Sequence, residues 1–246
     1  MTLTAIENYV LNFLQTSFTT GNWTQAEIDQ YIRDSELMTH GMIAEKYENF
    51  FRTTSQLSVT ANQALVDLPT NLYRTLEVDR IVGLGASTSN LLRLTKVERT
   101  VEHQWLARAD GSFFLLGGPN TTAYPMYYRQ HGQKQIELLP TPSATTANSL
   151  LIGYIYRPAA MAAGTHVPFQ EVAGAGGSGK DNIEEFHDIL GKYAIEMCLN
   201  KEEAYPQADR IRQERLWREG QLMDFLARMN VQEPKTIHET SSCWDF

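Results

Sequence analysis

The sequence predicts an α+β fold, a helical bundle built from both chain ends around an inserted, mainly antiparallel β region. Three observations carry this. Apolar residues recur at helical spacing near both ends, that spacing vanishes between about 58 and 172, and proline and glycine there punctuate short β-like runs. The resulting segments are 1–57 (N-terminal helical), 58–172 (inserted β-rich), 173–229 (C-terminal helices completing the bundle) and 230–246 (extended tail).

The first stretch places Ile6, Tyr9, Val10, Phe13 and Leu14 on one helical face. Thr19-Thr20-Gly21-Asn22 ends that helix. Thr24 with Glu27 three residues on has capping-box spacing, so a second helix starts at about Gln25. Its apolar set continues through Leu37, Met38, Met42, Ile43, Tyr47, Phe50 and Phe51, leaving open whether Gly41 divides it. Two or three helices are expected.

The middle stretch offers strand candidates at 57–59, 64–67, 76–84, 91–101, 113–116, 123–129, 135–139 and 150–156. Residues 135–138 alternate polar and apolar, as a half-buried strand requires. Residues 150–156 are apolar on both faces in part. His131-Gly132-Gln133-Lys134 has the composition of a hairpin turn between two such runs.

The third stretch returns to helix. Asp181 or Asn182 caps a run through Ile183, Phe186, Ile189, Leu190, Tyr193, Ala194 and Met197, with Glu184 and Glu185 placed for the helix dipole. Pro206 interrupts, and a further helix runs through Ile211, Leu216, Leu222, Phe225, Leu226 and Met229. Periodicity is lost after 230.

Bulk properties narrow the function. The 246 residues, 42% apolar with ten Phe, eleven Tyr and four Trp, suffice for a core without disulfide or metal staples. Cys198 falls in a helical pattern and Cys243 in a polar tail, so no pairing is implied. No run of about 20 apolar residues exists to span a membrane. A net charge of −8 argues against a protein that grips a phosphate backbone, while an acidic wall would let DNA slide past.

Site signals are few. Residues Gly174, Gly179 and Lys180 fit the opening of a phosphate-binding loop, but Asp181 stands where a hydroxyl would hold Mg²⁺ and no buried strand leads in. A flexible glycine connection is the reading that remains. None of the six histidines has a metal-like spacing, and Glu184 with His187 reads as a solvated salt-bridging pair. There is no Gly-x-Ser-x-Gly elbow, and Cys198 between Met197 and Leu199 reads as a buried inert thiol. No catalytic residue, cofactor or metal is expected. Arg210, Arg212, Arg215 and Arg218, interleaved with Asp209, Glu214 and Glu219, form a face that is solvated or salt-bridged to a neighbouring subunit; Arg212, Arg215 and Arg218 are the expected interface residues. Tyr124, Tyr127, Tyr128, Tyr154 and Tyr156 suit sheet packing and interfaces better than base stacking.

The order of these features resembles the adaptor (neck, head–tail connector) proteins of short-tailed phages. The matching pieces are Val66-Asp67-Leu68-Pro69; the strand-like Leu76-Glu77-Val78-Asp79-Arg80-Ile81-Val82; Tyr127-Tyr128-Arg129-Gln130-His131-Gly132 leading to Ile136-Glu137-Leu138-Leu139-Pro140 and Pro142; Leu151-Ile152-Gly153-Tyr154-Ile155-Tyr156-Arg157-Pro158; and Tyr193-Ala194 in a helix with another beyond it. The resemblance covers roughly residues 3–229 and departs in the glycine-rich loop 173–180 and after 230.

The resemblance implies a mechanical role. Such proteins form rings, commonly of 12, around the DNA exit channel beneath the portal, helical part to the portal and β part to the tail, nozzle and fibre proteins. It implies a virion protein of the neck or tail, assembled in the host cytoplasm, with genomic DNA passing through without sequence-specific binding. The tail 230–246 is expected to dock on the portal through Ile237, Trp244 and Phe246, since aromatic anchors suit interface cores. The competing readings are another virion interaction protein (head completion or tail-fibre attachment), a nucleotide hydrolase using the glycine loop, and a nucleic-acid-binding module.

Overall fold

The computed structural model describes residues 1–15, 22–81, 91–97, 127–139, 141–172 and 181–230. The strand candidate 113–116, the glycine loop 173–180, and Ile237, Cys243, Trp244 and Phe246 lie outside them. The fold is α+β as expected, with helices at both ends and two mainly antiparallel sheets between them. The chain divides into two units, 1–47 with 159–246, and 48–158.

The helical unit begins with α1 (Leu3–Leu14), capped by Thr2, whose Oγ1 accepts the Ala5 N–H at 3.3 Å. Helix α2 (Gln25–Lys46) starts with the expected capping box, the Thr24 and Glu27 side chains each accepting the other's backbone N–H. Trp23 and Ile28, both buried, occupy hydrophobic-staple positions around that cap. The helix runs unbroken through Gly41, since one glycine costs only about 1 kcal/mol against alanine.

After a 3₁₀ segment (Asp181–Phe186), α3 spans Asp188–Lys201 and α4 spans Tyr205–Asn230. The expected cap at Asp181 or Asn182 therefore opens only the 3₁₀ turn. The backbone kinks at Ile183, and α3 starts after His187, which makes no side-chain cap bond. Pro206 sits in the first turn of α4, where its missing N–H costs nothing.

Helix α3 is the centre of the unit, with Ile189, Leu190, Ala194, Ile195, Cys198 and Leu199 all buried. Gly191 lets α1 cross close by: a Cβ there would stand 2.6 Å from Tyr9 Cδ1. Glu196 and Asp188 on α3 face α4, through Arg215 and Arg218, while Lys201 reaches Glu27 of α2. At 100° per residue Lys201 lies about 140° round α3 from both Asp188 and Glu196, so α2 and α4 pack on different sides of it. Both run antiparallel to α3, and hence parallel to each other.

The irregular stretch 159–172 belongs to this unit too. Glu36, fully buried in α2, accepts the Phe169 N–H at 2.7 Å and pairs with Arg33, which also donates to the Ala159 carbonyl at 3.0 Å. These bonds hold residues 159 and 169 against α2, in the unit that resumes at Ala159.

The second unit holds two sheets. One has the order β1-β8-β3-β4, from β1 (Arg52–Val59), β8 (Thr146–Tyr156), β3 (Leu72–Ile81) and β4 (Leu91–Arg93). The other has the order β2-β7-β6-β5, from β2 (Leu65–Asp67), β7 (Gln135–Leu139), β6 (Tyr127–His131) and β5 (Thr95–Lys96). All described pairings are antiparallel except β5 with β6. The β6–β7 hairpin turns over Gly132 at φ +69°, a conformation glycine takes without strain. Phe50 and Phe51, assigned by spacing to the helical run, instead lead into β1; Phe51 is fully buried and meets the Tyr156 ring edge-on at 5.7 Å. The β region thus starts earlier than residue 58.

Strand β8 is central and buried on both faces from Ile152 to Tyr156. Gly153 makes room on one face: a Cβ there would lie 2.7 Å from Glu77 Cγ. Glu77 lies across that gap, pairing with Arg52 of β1 and Arg93 of β4, while Arg93 Nε also bonds Asp79 at 3.0 Å.

Candidate interaction surfaces

Among the described residues, Cys198 and His187 are both buried. Burial pushes the Cys198 thiol up to about 12, which removes the thiolate a nucleophile needs. His187 is buried beside Phe169, ring centroids 5.9 Å apart, and burial first, then the charge of the Met1 ammonium, lowers it to about 4. Glu184 stays exposed, so the solvated Glu184–His187 pair read from the sequence is split between surface and core. Among the described residues no group of three His, Cys, Asp or Glu is placed to hold a metal. No described helix is long and apolar enough to cross a membrane.

The tyrosines go mostly to the sheets. Tyr128, Tyr154 and Tyr156 are buried, Tyr127 is half-buried, and Tyr154 donates to Asn71 Oδ1 at 3.1 Å. No stacking platform forms from them; Tyr124 lies outside the described residues.

The arginine cluster of α4 divides. Arg215 is buried: its Nε lies 3.0 Å from Glu196 Oε2, a second nitrogen pairs with Glu219, and its guanidinium sits 5.3 Å above the Tyr193 ring. Arg218 bonds Asp188 at 3.2 Å and the Glu185 carbonyl at 2.8 Å, over the Phe186 ring at 4.8 Å. These two fasten α4 to α3 and to the 3₁₀ turn within one chain. The cause is helical phase. Arg215 lies on the stripe of Ala208, Ile211, Leu222 and Leu226, all buried, and an arginine there must be paired. Arg212 is exposed, with no ion pair among the described residues.

Two large apolar side chains also lie outward on α4, among its exposed charged residues. Trp217 is 66% exposed and Leu216 50%, and on α2 Met38 is 55% exposed. Leu216 and Met38 had been read as core-facing from their place in apolar runs. Trp217, two residues past Arg215 and so on the opposite face, was the available signal, legible only once the buried stripe is fixed.

In the β unit the outward features are the Arg52–Glu77–Arg93–Asp79 chain of ion pairs and the exposed Tyr73, Leu91 and Leu92. The two units thus offer surfaces of different chemistry, and the helical one alone displays a large exposed indole among the described residues.

No curated protein matches the chain closely enough to count as a relative. The model of the SU10 adaptor protein family matches residues 1–229, which takes in every described element but the last residue of α4.

Proposed function

We propose that this chain, which belongs to the SU10 adaptor protein family, is the head-to-tail adaptor of a phage virion and closes into a ring below the portal. An adaptor of this family is a phage virion component that meets other virion proteins. The finer reading is that the ring, of 12 subunits, extends the DNA channel and gives the tail, nozzle and fibre proteins a surface to attach to. It acts without catalysis or cofactor.

The observation that carries this is the family match over residues 1–229. Physical chemistry supports the rest. A head-to-tail interface closes into a ring and needs no active site. A net charge of −8 suits a channel past which DNA slides. Residues 230–246, with Ile237, Trp244 and Phe246, would dock on the portal, since a segment that orders on binding covers a large surface at modest affinity.

The test is co-sedimentation with the cognate portal. Full-length chain should pellet with portal, and chain lacking 231–246 should lose most of that binding. Equal binding by the two forms would remove the docking role of the tail, and no binding by either would remove the portal as partner.

A further inference from the structure

The stretch 159–172 forms neither helix nor strand, yet it carries the chain back from the β unit into the helical one. Its start is fixed twice. The Ala159 carbonyl accepts from Arg33 of α2 at 3.0 Å, and the Ala159 N–H donates to the Gln170 carbonyl at 2.9 Å, which closes the stretch on itself. Residues 160–165 are mostly exposed, whereas Pro168, Phe169 and Gln170 are buried. The segment is thus a strap, open along its middle and plugged at its end.

The plug is strained. Phe169 has φ +63°, the left-handed region, which is an outlier for a bulky side chain. Such strain persists only where the surroundings over-determine it, and it collects at switch regions. Here the surroundings are Glu36 and His187. Fully buried Glu36 accepts the Phe169 N–H at 2.7 Å and pairs with Arg33, and the Phe169 ring lies 5.9 Å from that of His187. The strap also completes α1. Leu3 N–H donates to the His166 carbonyl at 2.8 Å and Thr4 N–H to that of Gly164 at 3.0 Å, two of the helix-start amides that have no partner within the helix. The approach is close, since a Cβ at Gly164 would stand 2.1 Å from Thr4 Oγ1.

We infer that 159–172 is a latch, seated by the Glu36–Phe169 bond and released as one piece when that bond breaks, with α2 and α3 still folded. Release lets Phe169 return to an ordinary backbone conformation and takes the support from the first turn of α1. It also slackens one connection. The chain passes between the two units twice, at 47/48 and 158/159. The first crossing stays fixed at its helical end, because Tyr47 donates its N–H to the Ile43 carbonyl at 2.7 Å and its hydroxyl to that of Met223 at 3.2 Å. Only the second gains the length of the strap. A partner that binds the released form better would draw the chain into it while the bundle persists. The inference stands on contacts within the helical unit and is independent of the ring.

The test is amide hydrogen exchange of the unmodified full-length chain, read residue by residue at rising urea below the unfolding transition. The bonded amides of Leu3, Thr4, Ala159 and Phe169 should share one opening. Their protection should be at least about tenfold below that of Ala194, Ile195 and Cys198 in α3. It should also depend only weakly on urea, because little surface is exposed. Exchange of all seven through a single urea-sensitive opening would overturn the inference, as would unrelated protection among the four strap-bonded amides. Glu36→Ala gives a second arm: the four amides should lose their protection while the three in α3 keep theirs. A folded Glu36→Ala variant in which Ala159 and Phe169 stay protected would also overturn the inference, and if that variant does not fold the unmodified chain decides.

Discussion

Arg215 Nε lies 3.0 Å from Glu196 Oε2, with both side chains buried between α4 and α3. The pair joins two helices that also share the Arg218–Asp188 ion pair, and it fixes which face of α4 turns away from α3. A buried guanidinium is tolerated only while paired, and Glu219 supplies its second carboxylate.

Glu196→Ala leaves that guanidinium half-paired and should cost about 3 kcal/mol, the lower end of the range for breaking a buried pair because Glu219 remains. Urea unfolding measures it. A loss under about 1 kcal/mol would place the pair with exposed ion pairs in energetic terms.

Gly153 is needed where Glu77 crosses β8 to reach Arg52. Gly153→Ala should lower stability by about 1–3 kcal/mol through overpacking against the Glu77 stem. Adding Glu77→Ala should recover part of that loss, since the clash disappears with the side chain. Thermal melts of the two variants and the double variant form the cycle, and strict additivity would show that the residues do not meet.

Asp29 carries a pH signature. Burial first, and then the Glu7 carboxyl beside it, raises Asp29 to about 7, so the folded chain holds a proton that the unfolded chain releases near 3.8. Stability from this group is complete below the unfolded value and is lost as pH rises through the folded one. Asp29→Asn should therefore gain on the unmodified chain between about pH 4 and pH 7 and hold a constant advantage above. Melting temperatures across that range read the difference, and parallel curves would mean that no proton is held.

Cys198, pushed up to about 12 by burial, should resist Ellman's reagent at pH 8 in the folded chain and react on unfolding in urea. Rapid labelling of Cys198 in the native state would mean that α3 opens locally.

Much of the framework was legible because it follows from local chemistry. Thr24 and Glu27 announced the start of α2, residues 135–139 the alternation of β7, and Gly132 the turn before it. What failed depended on distant partners. Phe50 and Phe51 continue an apolar spacing that looks helical, and only the packing of Phe51 on Tyr156 explains why the chain is extended by then. The largely polar β1, Arg52-Thr53-Thr54-Ser55-Gln56 before Leu57, gave little sign of its full length. Arg215 looked like one charge among many on a polar helix, because Glu196 belongs to the preceding helix. The exposure of Trp217 was hidden for the same reason: its face is defined by what Ala208, Ile211 and Leu222 bury.

The central claim is that this adaptor builds a ring on the portal. Mixing the purified chain with its cognate portal and imaging the product by electron microscopy tests it most directly. The account predicts a closed ring of added density on the tail-facing end of the portal. Intact portals that carry no added density, or isolated copies that never close, would contradict it.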